Sequence, residues 1–226
     1  MPVLHTIEML GAFTAASYLA ARAARASGRA AFHRYAIVAQ PRAGLPIMPR
    51  GYQVEPLDAA TLAAHPVDAD ASTQALRFAA GLSCLGVFAP RGGLTGLVWL
   101  GTGTYREDEV AVSFVLPSRC CWDTGLWIAP QHRLGRSFAA LWAGVGAWMD
   151  AGGLTHSLSR VADYNLAALA AHRRMGARVL AHHSFLRIGA WQWSAGTRPR
   201  LARLEPGEHP LGPAPHLDLA PLLPDD

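Results

Sequence analysis

The segment from Gly125 to Ala177 constrains the fold of this chain more than any other. A strand-like run, GLWI, is followed by Pro130 and a basic loop, QHRLGRS, that opens directly into a long helix with apolar periodicity. About thirty residues further on comes NLAALAAHRRMGA, which starts at Asn165 and ends at Ala177. Because a helix N-terminus offers free backbone N–H groups and a favourable dipole, the strand, loop and helix together predict a site for an anion such as a phosphate.

Periodicity along the rest of the chain predicts an α/β (α+β) fold with a mixed sheet. Helices are expected at 5–31, 58–64, 72–81, 136–151 and 166–175, and strands at 52–55, 83–89, 94–101, 110–116, 122–128, 154–161 and 179–188. Residues 32–50 are expected to be a connector with a short strand at 34–38. Asp58 and Ser72 are candidate N-caps, and Asn165 or Asp163 caps the last helix, which ends at Gly176. We therefore expect three regions: an N-terminal helix and connector (1–49), the main domain (50–195) and a Pro-rich flexible tail (196–226) that buries little.

The N-terminal helix and the cysteines indicate the cellular compartment of the protein. Glu8 precedes the apolar run and no Lys or Arg occurs before Arg22, which is the wrong polarity for a secretory signal. The run is also too short for a transmembrane segment. The helix packs on the domain or else binds a membrane surface or a partner. Three cysteines without metal-ligand spacing predict a reduced, cytoplasmic protein and no metal site.

Charge favours a small anionic ligand. All 20 basic residues are arginine, against 16 acidic ones, for a net charge of +4. No basic run has interleaved aromatic residues, so we expect no nucleic-acid partner. The all-arginine composition indicates a high-GC genome more than a function, and the basic balance fits an anionic cofactor or substrate.

These motifs, in this order, resemble the GNAT superfamily of acyl-CoA-dependent N-acyltransferases over residues 50–190. The resemblance implies a mixed, mostly antiparallel central sheet flanked by helices, here with an extra N-terminal helix. The family's phosphate loop falls on the cofactor-binding candidates Arg133, Leu134, Gly135, Arg136, Ser137 and Phe138. Two family glycines are replaced, at Arg136 and Phe138, so Gly135 and Ser137 are expected to substitute in part and the arginines to add charge-assisted contacts.

The second segment matches the family's Asn-x-x-Ser/Ala-x-x-x-Tyr/His-x-x-x-Gly pattern. Asn165, Ala168, His172 and Gly176 are all in register, and Ala177 replaces the family's Phe. The resemblance implies that Asn165 bonds the pantetheine arm and that His172 lies near the thioester sulfur. On a helix the two would share a face, and we expect His172 either to protonate the departing thiolate or simply to pack.

Acyl transfer to an amine needs a positioned thioester, an oxyanion stabiliser and a base. The resemblance assigns the first two tasks to backbone groups of Leu126, Trp127 and Ile128. Asp123 and Asp163 flank the central strand ends and are the preferred bases. The less favoured candidate bases are Glu107, Asp108, Glu109 and His156. The adjacent cysteines, Cys120 and Cys121, are expected to be buried thiols.

Three functions stay open at this point. The chain is a direct N-acyltransferase that moves an acyl group, acetyl by preference, from acetyl-CoA to a small-molecule primary amine. Alternatively an acyl carrier protein is the donor, which suits a degenerate phosphate loop and a basic surface. The third reading is a GNAT-like binding module without catalysis. A homodimer is left open.

Overall fold

The structure is a computed structural model that describes residues 12–107, 109–133, 135–203 and 215–223. The chain divides into two units that are not contiguous in sequence. The first unit comprises residues 1–39, 104–116 and 160–226, and the second comprises 40–103 and 117–159. Each unit is described by itself below.

The helices and strands follow in chain order. The helices are α1 (Ala12–Ala26), α2 (Ala59–Ala63), α3 (Ala71–Ala79), α4 (Ser137–Ala151) and α5 (Leu166–Arg174). The strands are β1 (Ala30–Pro41), β2 (Gln53–Leu57), β3 (Ser83–Phe88), β4 (Leu94–Thr102), β5 (Thr104–Arg106), β6 (Ser113–Val115), β7 (Cys120–Ile128), β8 (His156–Ala162), β9 (Arg178–Ile188), β10 (Trp191–Ser194), β11 (Leu201–Arg203) and β12 (His216–Asp218).

In the second unit the strand order is β8-β7-β4-β3-β2. All neighbours pair antiparallel except β7 and β8, which are parallel. The apolar α4 packs on β2, β3 and β4. It approaches β2 so closely that a Cβ on Gly144 would lie 2.3 Å from Val54 Cγ1, which explains why this position of the helix is a glycine.

In the first unit the strand order is β11-β10-β9-β1-β8, and β9 pairs antiparallel with both β1 and β10. A small sheet of order β12-β6-β5 belongs to the same unit and buries Phe114 and Leu217. Gln192 on β10 bonds both backbone groups of Ala111, each at 2.9 Å. One face of β10 is therefore turned toward the interior of the unit.

The predicted fold class is confirmed: the chain is mixed α/β with a large, mostly antiparallel sheet and an N-terminal helix. Asp58 caps α2 through the Thr61 N–H, and Asn165 caps α5 through the Ala168 N–H. The predicted cap at Ser72 is wrong, because the carboxylate of Asp70 accepts the Thr73 N–H at 2.8 Å. A carboxylate two residues earlier reaches the first helical turn, so the hydroxyl is not needed there.

Two regional predictions need correction. Residues 32–50 were expected to be a connector with a short strand, but β1 runs for 12 residues and pairs with β9 along most of its length. The tail from 196 was expected to be flexible, but β11 pairs with β10, β12 pairs with β6, and Leu219 is fully buried. Three-residue strands between prolines carry too little periodicity to be seen in sequence.

The predicted helix start at residue 5 lies outside the described residues. In the described part of the chain, no helix is both long and apolar enough to cross a membrane.

Candidate functional site

The central feature of the second unit is a bulge in β7. Leu97 faces Trp127 and Trp99 faces Thr124, so that Val98 on β4 is opposed by two residues of β7. The extra residue is accommodated at Gly125, whose φ is 57° and lies in the left-handed region that favours glycine. A bulge bends its strand and re-aims the neighbouring backbone groups.

The same stretch of β7 extends beyond its pairing with the parallel strand β8. The ladder with β8 begins at Cys120↔His156 and ends at Trp122↔Leu158, whereas β7 continues to Ile128. Residues 120–123 are buried, and residues 124–127 are partly exposed. Beyond the ladder, the backbone N–H and C=O groups that point to that side of the strand can bond a ligand.

A basic side chain that the sequence analysis missed lies against this bulge. A Cβ on Gly125 would stand 2.3 Å from Arg77 Nη1 and 3.0 Å from Trp99 Cδ1. The Arg77 guanidinium lies over the Trp99 ring at 5.7 Å, and Phe78 meets that ring edge-on. A glycine within a strand of large residues was the one sequence signal of this close approach.

Asp123, a candidate base, lies two residues before the bulge. Its side chain is buried and accepts a hydrogen bond of 2.6 Å from the Ser157 hydroxyl on β8. The carboxylate is thus held in one orientation next to the bent part of the strand. The neighbouring thiol is a poor nucleophile, because burial raises the pKa of Cys121 to about 12. This agrees with the expected buried, inert cysteines.

The basic loop follows β7 directly. Residues Pro130–His132 form a short 3₁₀ turn, and the Gly135 N–H donates to the His132 carbonyl at 3.0 Å. The Arg133 Nε donates to the Ile128 carbonyl at 3.2 Å, which anchors the side chain on the end of the strand. Arg133, Gly135 and Arg136 are exposed, and Leu134 lies outside the described residues.

The start of α4 carries several hydrogen-bond donors. Arg136 immediately precedes the helix in an ordinary right-handed conformation, so the loop does not need the family's glycine at that position. Ser137, in the first turn, is fully buried, and its hydroxyl has no hydrogen-bond partner among the described residues. The helix N-terminus, this hydroxyl and two exposed guanidinium groups are the donors that a phosphate oxygen accepts from. Phe138 fills the position of the second family glycine and packs toward Trp142.

The remaining motif residues belong to the first unit. Asn165 is exposed, and its Oδ1 accepts the Ala168 N–H at 3.2 Å. His172 is buried on α5. The helix ends as predicted at Gly176, with φ of 84°, where the Ala177 N–H bonds the His172 carbonyl and the Gly176 N–H bonds that of Arg173. Because Asn165 caps the helix with non-helical angles, it does not continue the helical face that His172 occupies.

The other candidate bases have structural partners. Asp163 is buried and lies 3.5 Å from Arg34 Nε. Glu107 is fully buried and binds the Arg160 guanidinium through two nitrogens, one of them at 2.6 Å. Glu109 accepts from the Tyr35 hydroxyl at 2.7 Å. The His156 Nδ1 lies 3.2 Å from the Thr155 hydroxyl oxygen, and Asp108 lies outside the described residues.

Comparison with known proteins gives the fold. No family model matches the chain, and no curated protein matches it in sequence. A protein of unknown function from Staphylococcus epidermidis has a TM-score of 0.52 at 10% identity, over 74% of this chain and 66% of that one. A fungal GCN5-related glucosamine N-acetyltransferase region of a multi-domain β-N-acetylglucosaminidase has a TM-score of 0.50 at 13% identity, over 73% of this chain and 22% of that one. A protein from Novosphingobium aromaticivorans that is assigned to the GNAT acetyltransferases has a TM-score of 0.47 at 14% identity, over 69% and 63%.

The chain shares its fold with the GCN5-related N-acetyltransferase region, and this is the fold that its sequence motifs implied. It spans less than two thirds of the length of each of these three solved structures. At these identities the likeness establishes the fold alone. The assignment of an activity therefore depends on the residues of this chain.

Proposed function

We propose that this protein is an N-acyltransferase that moves an acyl group, preferably acetyl, from a CoA thioester to a primary amine by direct transfer. The observation that carries the proposal is the bulge at Gly125, where β7 continues beyond its ladder with β8. Backbone N–H groups fixed on a rigid strand can stabilise the negative charge that develops on a thioester carbonyl oxygen. The arginine-bearing loop at the end of the same strand supplies donors for the diphosphate.

In the reaction, the amine nitrogen attacks the thioester carbonyl carbon and the carbon–sulfur bond breaks. The thiolate leaves and takes up a proton, while the amine loses one to a base. We assign the base to Asp123, because it is on β7 beside the bulge and is oriented by Ser157. Asp163 is the second candidate, and its carboxylate is paired with Arg34.

For the motif in the first unit, we propose that the Asn165 side-chain amide hydrogen-bonds the pantetheine arm. Its Oδ1 is already used as the helix cap, so the amide nitrogen is the atom that donates to a pantetheine carbonyl. His172 is proposed as the acid that protonates the thiolate. Its burial makes packing the competing role, and kinetic and thermal measurements on one variant separate the two.

Donor identity is tested by calorimetry with acetyl-CoA and with S-acetylpantetheine, which lacks the adenosine diphosphate. We expect acetyl-CoA to bind tighter, and replacement of Arg133 and Arg136 by Ala to weaken it by roughly 2–4 kcal/mol if both arginines contact phosphate. Exposed arginines elsewhere in the second unit, Arg91 and Arg119, give the matched double control. Equal binding of the two donors favours an acyl carrier protein, and binding without turnover favours a module that has lost catalysis.

The acceptor is proposed to be a small-molecule primary amine. We place the reaction in the cytoplasm, in keeping with three cysteines that are all thiols. A panel of acyl-CoA donors incubated with an amine library, and analysed by mass spectrometry, identifies both substrates. Measurement of the molecular mass in solution shows whether the protein forms a homodimer.

A further inference from the structure

One face of the last strands in the first unit is apolar and exposed. Trp191 is directly opposite Ile188, and Trp193 is directly opposite Leu201, so all four side chains project from the same side of the sheet. Their exposed fractions are 57% for Ile188, 50% for Trp191, 47% for Trp193 and 54% for Leu201. We call these four residues the tryptophan face.

The exposure does not come from a loosely attached strand. On the opposite side of the same strands, Phe185, Gln192 and Ser194 are buried. Gln192 is bonded twice to Ala111, and the Ser194 N–H donates to the Arg200 carbonyl at 2.7 Å. The strands are fixed in the unit by one face, and the other face holds two tryptophans at the surface. Large apolar groups in such an ordered cluster mark an interaction site.

The tryptophan face is bordered by positive charge. Arg203 is directly opposite Trp191, and Arg29 lines a cavity of about 790 Å³ together with Ile188 and Trp191. Between Arg178 and Arg203 the sequence has five arginines and no carboxylate. The segment 12–39, which includes α1, has four arginines and likewise no carboxylate. The partner of this surface is therefore anionic.

We propose that the tryptophan face docks on an anionic phospholipid bilayer. Tryptophan rings favour the headgroup level of a membrane, aliphatic side chains such as Ile188 and Leu201 enter the acyl boundary, and arginines are attracted to acidic headgroups. The two aliphatic residues disfavour a nucleic acid, which they can neither stack on nor hydrogen-bond. A symmetric contact with a second copy would bring the bordering arginines of both copies together, which is unfavourable.

Vesicle co-sedimentation tests this with the full chain, using phosphatidylcholine vesicles and an equimolar mixture of phosphatidylcholine and phosphatidylglycerol. We expect stronger partition into the mixed vesicles, declining with salt. Trp191→Ala with Trp193→Ala is expected to reduce partition by about tenfold or more. The matched control replaces Ile47 and Met48 by Ala, since these are exposed apolar residues of the second unit, with Ile47 at 91%.

The charge contribution is tested separately. Glutamine at Arg29 and Arg203 is expected to weaken binding to the mixed vesicles by about fivefold per arginine. Glutamine at Arg91 and Arg119, two exposed arginines of the second unit, is the control and is expected to have little effect. Melting curves establish that each variant is folded, and quenching of wild-type fluorescence by brominated lipid gives a readout that needs no variant.

Three results overturn the proposal. The first is equal partition of the wild-type protein into the two kinds of vesicle. The second is loss of binding in the control variants to the same degree as in the face variants. The third is binding of polyuridylic acid, or self-association on a sizing column, that the Trp191 and Trp193 substitutions abolish while vesicle binding stays unchanged.

Discussion

At the scale of single residues, Gly125 is the position on which the candidate site depends. Its left-handed φ favours a residue without a side chain, and so does the crowding, because a Cβ there would lie 2.3 Å from Arg77 Nη1. Gly92 in the β3–β4 turn also has positive φ, at 78°, but a Cβ there would meet nothing within 4 Å. The two glycines therefore differ in crowding and share the backbone requirement.

We expect Gly125→Ala to lower the free energy of unfolding by about 2–4 kcal/mol and Gly92→Ala by only about 1 kcal/mol, because strain is common to both and overpacking is added at Gly125. Urea unfolding of the two variants measures the difference. Equal destabilisation would show that Arg77 moves away from the alanine methyl group without cost.

Arg160 and Glu107 form the most deeply buried ion pair that we describe in the first unit. Arg160 also reaches Glu109 Oε2 at 3.0 Å and lies over the Tyr35 ring at 4.4 Å. Burial raises the pKa of Tyr35, which keeps its hydroxyl protonated as the donor to Glu109. The network uses two of the acidic residues that the sequence offered as bases, and assigns them to structure.

Removal of one partner from this network leaves a buried charge, so we expect Arg160→Met to cost about 3–5 kcal/mol of unfolding free energy. Addition of Glu107→Gln to the same chain is expected to restore part of that loss, because the uncompensated carboxylate is gone. Chemical unfolding of the single and double variants measures both. A double variant no more stable than Arg160→Met would contradict this account.

His33, beside Tyr35, gives the first unit a pH dependence. Burial lowers its pKa, outweighing the opposite effect of Glu109 and assisted by Arg160. The unfolded chain therefore binds a proton at higher pH than the folded one, so stability is complete above about pH 6.5 and declines as pH falls below it. His182, whose pKa burial also lowers, adds to the same trend.

We expect His33→Asn to lose less stability than the wild type between about pH 7.5 and pH 5.5, since one of the contributing groups is gone. Urea unfolding at the two pH values provides the comparison, with His65→Asn as a control in the second unit. Identical pH slopes for His33→Asn and the wild type would rule out this contribution.

At the scale of elements, sequence reasoning located most helices and strands because their periodicity and caps are strong. Helices α2 to α5 were anticipated within two residues at each end, and Asn165 and Gly176 were recognised as the start and stop of α5. The long β1 was obscured because its first half, Ala30–Arg34, shows no regular alternation and several prolines follow it. The bulge was invisible because it depends on the register of β7 against β4.

The structure of the C-terminal tail likewise could not be predicted from sequence periodicity, and a substitution tests whether the tail contributes to stability. Leu219 is fully buried after β12, whereas Leu201 on β11 is largely exposed. We expect Leu219→Ala to lower the free energy of unfolding by about 2–5 kcal/mol and Leu201→Ala to leave it nearly unchanged. Thermal melts of both variants measure this difference. A Leu219→Ala variant as stable as the wild-type protein would support a flexible tail.

At the scale of the whole molecule, the sequence motifs were enough for the GNAT fold, because they fix the order of strand, loop, helix and capped helix. They could not reveal the close approach of Arg77 to the bulge or the tryptophan face. The first joins residues that are distant in sequence, and the second depends on the register of β10 against β9 and β11. The acyl donor and acceptor are likewise properties of a surface rather than of a motif, which is why activity needs a direct measurement.

That measurement is mass-spectrometric detection of acyl transfer from isotopically labelled acetyl-CoA to members of an amine library, with Asp123→Asn run beside the wild-type protein. The account predicts a labelled acetyl amide for at least one primary amine, and a fall in kcat of ~10²–10⁴ in the variant with the dissociation constant of acetyl-CoA nearly unchanged, as expected for loss of a general base. The matched variant Asp163→Asn is expected to retain more activity. Absence of any labelled amide, from wild-type protein that calorimetry shows to bind acetyl-CoA, would contradict the central claim of N-acyl transfer.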